Sequence, residues 1–127
     1  MRATLTLLLA ALLTAPSWSV AGNVSGEVGG LRVDLASLPE RPRAGGETIY
    51  SVRVSDRAGA PVDGAKVTLR GRMPDGMTVV APLRPATEPG MYRGRVMFTM
   101  RGRWDLKLRV TAKGNAFDLP LTELVGQ

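Results

Sequence analysis

The sequence predicts an all-β fold, an immunoglobulin-like antiparallel β-sandwich of about seven strands, on three observations. From Leu31 onward apolar and polar residues alternate with period two. Gly, Pro, Asp or Asn interrupt that alternation at the short, regular spacing typical of sandwiches and barrels. Nowhere does an uninterrupted apolar pattern recur at helical spacing. With 127 residues the chain holds one domain at most.

Ahead of this pattern, Met1-Arg2 gives a positive start, Leu5 to Leu13 is apolar, and Ser19-Val20-Ala21 supplies small residues at both cleavage positions. Residues 1–21 therefore read as a secretory signal peptide cut after Ala21, which predicts a periplasmic or secreted protein. A membrane span needs about 20 apolar residues. The run here is nine and is stopped by Pro16, so no stable anchor is expected after cleavage. Residues 22–30, rich in Gly, read as a flexible lead, and residues 31–127 as the sandwich.

The strands follow from their apolar faces. Leu31, Val33 and Leu35 form the first; Tyr50, Val52 and Val54 the second; Val67 and Leu69 the third. A short strand near Thr78 to Leu83 is the fourth, and Tyr92, Val96 and Phe98 mark the fifth. The cleanest is the sixth, where Trp104, Leu106, Leu108 and Val110 alternate with Arg103, Asp105, Lys107 and Arg109. Phe117, Leu119 and Leu121 make the last. The segments between them, such as Asp56 to Gly64 and Met73 to Gly76, carry the residues of tight turns.

Composition narrows the chemistry. The chain has no Cys and no His, which excludes disulfides, thiolate or imidazole metal sites and any Ser-His or Cys-His nucleophile. Asp56 and Asp63 read as turn residues, not as calcium ligands or catalytic carboxylates. No enzyme activity is expected. The formal charge is +6, and 14 of the 17 cations are Arg. Export and the absence of spare aromatic platforms argue against nucleic acid.

The thioether is then the only soft donor left, and soft donors select Cu(I). Strands that alternate up and down bring the segments Leu38 to Glu47, Met73 to Met77 and Thr99 to Gly102 to one end. Met73, Met77 and Met100 converge there, with Met97 as a further candidate just below; Met91 falls at the opposite end. The other reading of these residues is packing, with Met73 or Met100 closing the open end of the core. Arg41, Arg43, Arg70, Arg72, Arg101 and Arg103 belong to the same end. They form either a solvated basic rim or a docking surface for an anionic partner.

The run Gly90-Met91-Tyr92-Arg93-Gly94-Arg95-Val96-Met97-Phe98-Thr99-Met100-Arg101-Gly102-Arg103-Trp104 resembles the G-x-Y-x-G-x-V-x-F-x-M-x-G-x-W run of YtkA-like domains, relatives of FixH. Pro42 to Val54, the segment Asp56 to Val67 and Met73-Pro74 resemble further parts of the same family, so that the likeness covers roughly residues 31–111. The resemblance implies an exported or membrane-anchored immunoglobulin-like domain placed in copper or heavy-metal handling and in assembly of copper-containing oxidases. By position Met73, Met77 and Met100 match the family's Met sites. Asp75-Gly76 and the lack of His depart from its pattern, which weakens the case for Cu(II) more than for Cu(I).

The sequence thus predicts an exported, non-catalytic accessory domain. It either binds Cu(I) through a Met-lined end, with a metal-handling membrane protein as partner, or docks an anionic or protein partner through its Arg-rich end without metal.

Overall fold

The structure, a computed structural model, describes residues 23–127. The segment read as a signal peptide lies outside them. Eight strands and no helix make up the described chain: β1 (Asn23–Val28), β2 (Leu31–Leu38), β3 (Glu47–Ser55), β4 (Lys66–Arg72), β5 (Thr78–Pro85), β6 (Met91–Met97), β7 (Gly102–Ala112) and β8 (Asn115–Val125). All seven expected strands are present, and every strand pair is antiparallel.

The strand order is β1-β2-β3-β6-β5-β4-β7-β8. One layer is β1-β2-β3-β6 and the other β4-β7-β8. Strand β5 passes from one layer to the other, pairing through Thr78 to Leu83 with β4 and through Arg84 and Pro85 with β6. Alternate residues of each layer meet in a core whose largest members are Trp104, Tyr50, Tyr92 and Phe98, all fully buried. Each fully buried side chain of this size contributes roughly 1.5–3 kcal/mol, so the apolar faces alone supply the main driving force.

Residues 22–30 were expected to form a flexible lead, and the structure corrects this. Asn23 to Val28 pair residue by residue with Ala36 to Leu31 of β2. The connection is Gly29-Gly30, with φ of 60° and 83°, the positive pair that a two-residue hairpin turn demands. Main-chain pairing makes this strand, and Val24 packs against the core from it. Its Gly26 lies beside Leu119, where an added Cβ would come 3.0 Å from Leu119 Cδ1, so β1 reaches across to β8.

Because the strands alternate, the segments after β2, β4 and β6 share one end with the last residues of β8. Backbone bonds fasten this upper end. Ala44 N donates to Gly126 O at 2.7 Å, Gly126 N to Pro42 O at 2.9 Å, and Gly45 N to Phe98 O at 2.8 Å. At the lower end the Tyr92 hydroxyl donates to Val62 O at 2.7 Å and accepts from Ala65 N at 3.0 Å, which ties the segment between β3 and β4 to the core.

Candidate functional site

Two Met residues frame the β4–β5 turn. Met73 N donates to Met77 O at 2.8 Å, Gly76 N donates to Met73 O at 2.9 Å, and Asp75 Oδ1 accepts from Met77 N at 3.0 Å. The Asp carboxylate thus completes the turn in the manner usual for that residue. The two side chains part company. Met73 is 9% exposed and packs into the upper core. Its methyl lies over Gly102, where a Cβ would stand 3.0 Å away.

Met77 is 40% exposed, and its sulfur accepts a hydrogen bond from Thr99 Oγ1 at 3.4 Å. That bond joins the β4–β5 turn to the β6–β7 loop. Met100, 44% exposed, sits on the same loop. Its carbonyl accepts from Trp104 Nε1 at 3.0 Å, so the largest buried aromatic of the core fixes the loop that carries the thioether. The structure therefore brings Met73, Met77 and Met100 to one end, with Met77 and Met100 exposed and Met73 buried.

Met97 does not join them in the way the sequence suggested. It lies at the top of β6 but is 55% exposed and stands opposite Glu47 of β3, on the outer face of its sheet. The alternation that buries Val96 and Phe98 turns Met97 outward. Met91 starts β6 at the lower end, as expected.

The six Arg residues separate into two groups. Arg43 Nε donates to Gln127 O at 3.0 Å and Arg101 Nη1 to Gln127 Oε1, 2.6 Å away; with the exposed Arg41 they surround the last residues of the described chain. Arg70 and Arg72 of β4 and Arg103 of β7 instead face outward from the second sheet. The single Arg-rich end expected from sequence is two surfaces, because the alternation of β4 and β7 aims these side chains sideways.

The ionisable groups inside the upper end are few. Tyr50 donates from its hydroxyl to Glu123 Oε1 at 3.0 Å, linking β3 to β8 across the sandwich. Burial, reinforced by the Glu123 charge, pushes the Tyr50 phenol well above its ordinary value. Burial likewise raises the Glu123 carboxyl, and the bond from Tyr50 offsets part of that rise. Thr48 Oγ1, also buried in β3, has no hydrogen-bond partner among the described residues. Among those residues no three His, Cys, Asp or Glu side chains gather as a metal cluster.

Residues 27–109 match the family described as YtkA-like. The chain belongs to the YtkA-like family. Among solved structures it is similar to a DUF4426 family protein from Pseudomonas aeruginosa, with 18% identity, a TM-score of 0.66, and coverage of 83% of this chain and 95% of that one. It is also similar to the Lin-41 filamin domain, at 20% identity and a TM-score of 0.50, covering 67% of this chain and 81% of that one. At such identities both likenesses speak to fold. No curated protein matches the sequence.

The YtkA-like run from Gly90 to Trp104 is largely structural in this chain. Tyr92, Val96, Phe98 and Trp104 are core. Gly94 is pressed against β5, where a Cβ would meet Pro82 O at 2.7 Å. Met100, 44% exposed, stands apart from these packed positions.

Proposed function

We propose that this YtkA-like domain is an exported, non-catalytic accessory protein that binds Cu(I) loosely at its upper end and passes it to a metal-handling membrane partner. The observation that carries the reading is the bond from Thr99 to the Met77 sulfur, which holds the two Met-bearing loops together and leaves Met77 and Met100 open. Met73 supplies a third thioether. Three neutral sulfur donors suit a soft monovalent cation better than Cu(II), which favours nitrogen and oxygen donors. Thioethers have no proton to lose, so metal uptake at these side chains does not depend on deprotonation. Arg101, on the same loop as Met100, weakens affinity by repulsion, which fits a carrier better than a store.

A Cu(I) titration of the mature protein against a competing chelator tests this, beside a variant with Met73, Met77 and Met100 all changed to Leu. Leu keeps the packing while removing sulfur, at a stability cost below about 1.5 kcal/mol per site. Copper uptake by the wild type and its loss in the variant are expected; equal uptake, or none by either, sinks the metal reading. The second reading, metal-independent docking of an anionic partner, is favoured by the orientation of Arg70 and Arg72, which face solvent without a carboxylate of their own among the described residues.

A further inference from the structure

The outer face of β5-β4-β7-β8 is concave, with a volume of about 760 Å³. Register places two rows of outward side chains across it. One row is Val80, Arg70, Lys107 and Pro120, and the next, one step nearer the upper end, is Thr78, Arg72, Asp105 and Thr122. Val80 is 60% exposed, a large apolar side chain left in solvent at one flank, and Pro120 is exposed at the other.

The charges across this face are unbalanced. Arg103 Nε is 3.3 Å from Asp105 Oδ1, so the one carboxylate lining the concavity already has a cation. In the row beneath, Arg109 grips Asp118 with two bonds of 2.9 and 3.1 Å. The Arg109 bonds, and more weakly Lys107 and Arg70, hold the Asp118 carboxyl below the usual carboxylate range. Arg70, Arg72 and Lys107 form no ion pair among the described residues, and they occupy the two central strands. A surplus of positive charge therefore sits between two apolar flanks.

We infer that this concave face is a docking site for an extended acidic segment of a partner protein, whose carboxylates engage Arg70, Arg72 and Lys107 while its apolar residues cover Val80 and Pro120. The inference deepens the docking reading for Arg70 and Arg72 and is independent of the thioether end. Three strand spacings of about 4.8 Å separate β5 from β8, so four or five extended residues at about 3.3 Å each cross the face. Alternate side chains of such a segment point the same way, so acidic and apolar residues placed at every second position face the sheet together. A mixed acidic and apolar sequence meets both requirements. A second copy of this chain is a poor occupant, because a two-fold pairing sets Arg70 and Arg72 against their own kind. The concavity also suits a narrow segment better than a flat lipid surface.

The experiment uses the full mature chain, isotope-labelled, and a ten-residue peptide of Glu, Asp and Leu in mixed order, with a peptide carrying Lys in place of the acids beside it. Binding of the acidic peptide is expected to shift the amides of residues 70–72, 78–80, 105–107 and 120–122. Changing Arg70→Gln with Lys107→Gln is expected to weaken binding at least tenfold, which is about 1.4 kcal/mol. Arg57→Gln at the lower end is expected to change it less than twofold. Thermal unfolding shows that the variants keep the fold. Equal binding of both peptides, shifts confined to other faces, or a double variant that binds like wild type overturns the proposal. Binding to phosphatidylglycerol vesicles with none to the acidic peptide also overturns it, in favour of a membrane surface.

Discussion

At the scale of single residues, the molecule shows how a hydroxyl or a carboxylate inside a β-sandwich takes on a structural task. Tyr92 is buried, and its hydroxyl serves both Val62 O and Ala65 N. In Tyr92→Phe those two main-chain groups lose their partner, at a cost of about 1–3 kcal/mol. Urea unfolding measures it, and a loss under about 0.5 kcal/mol shows that water replaces the hydroxyl. Trp104 is the larger test of the same core. It is fully buried, meets the Phe98 ring at a centroid distance of 5.2 Å, and holds Met100 O. Trp104→Ala is expected to cost about 3–5 kcal/mol in the same measurement. A loss below about 1 kcal/mol contradicts the placement.

Glu123 gives a residue-scale prediction of opposite character. Its carboxyl is raised in the folded protein, so the folded state holds the proton more tightly than the unfolded chain. The Glu123 contribution to stability is therefore greatest at acid pH and is lost as pH rises from the ordinary carboxylate value through the raised one. In Glu123→Gln the amide oxygen still accepts from Tyr50 and no charge has to be desolvated. The stability of the variant relative to wild type is expected to increase between pH 4 and pH 7. Denaturant midpoints at both values decide it; an unchanged or reversed difference means that Glu123 is solvated in the folded state.

Among the elements, β7 and β1 stand at opposite extremes. Strand β7 has 11 residues and pairs with β4 on one side and β8 on the other. Strand β1 has six, pairs with β2 alone and touches β8 where Gly26 lies beside Leu119. Hydrogen exchange is expected to find the β7 amides protected close to the global limit, and those of β1 opening with much lower free energy. Uniform protection of both strands contradicts this difference.

The same two strands show how much of the fold was legible in the sequence. Strand β7 announces itself, since every second residue from Trp104 to Val110 is large and apolar. Strand β1 has only Val24 and Val28 at alternate positions, with Gly26 between them, so the side-chain pattern passed over it although Gly29-Gly30 marks its turn. Alternation also predicted the shared upper end, because seven strands in antiparallel order allow little else. It was less informative about which way a residue at a strand end points. Met97 and Arg70 each sit near the upper end, but the pleat turns both outward, and only the register with Glu47 and Val80 fixes their surroundings. The Thr99 bond to Met77 joins two loops whose relative position no local pattern encodes.

For the whole molecule, the two proposed surfaces lie on different parts of the sandwich and are separable by experiment. The thioether end is built on loops fastened to Trp104 and Thr99, whereas the basic concavity is built on paired strands. Changing Arg70 and Lys107 is therefore expected to leave Cu(I) uptake unchanged within a factor of two, and changing the three Met residues to Leu is expected to leave acidic-peptide binding unchanged. Cross-effects in both directions mean that one site serves both ligands.

The central claim is that Met77, Met100 and Met73 hold Cu(I) together, and carbon-13 labelling of the Met methyl groups tests it at the donors themselves. One equivalent of Cu(I), added to a protein spanning residues 22–127 under anaerobic conditions, is expected to shift the methyl signals of these three residues in parallel and to leave that of Met91, at the far end of the sandwich, in place. Unmoved signals from Met77 and Met100, or a shift of Met91 equal to theirs, contradict the account.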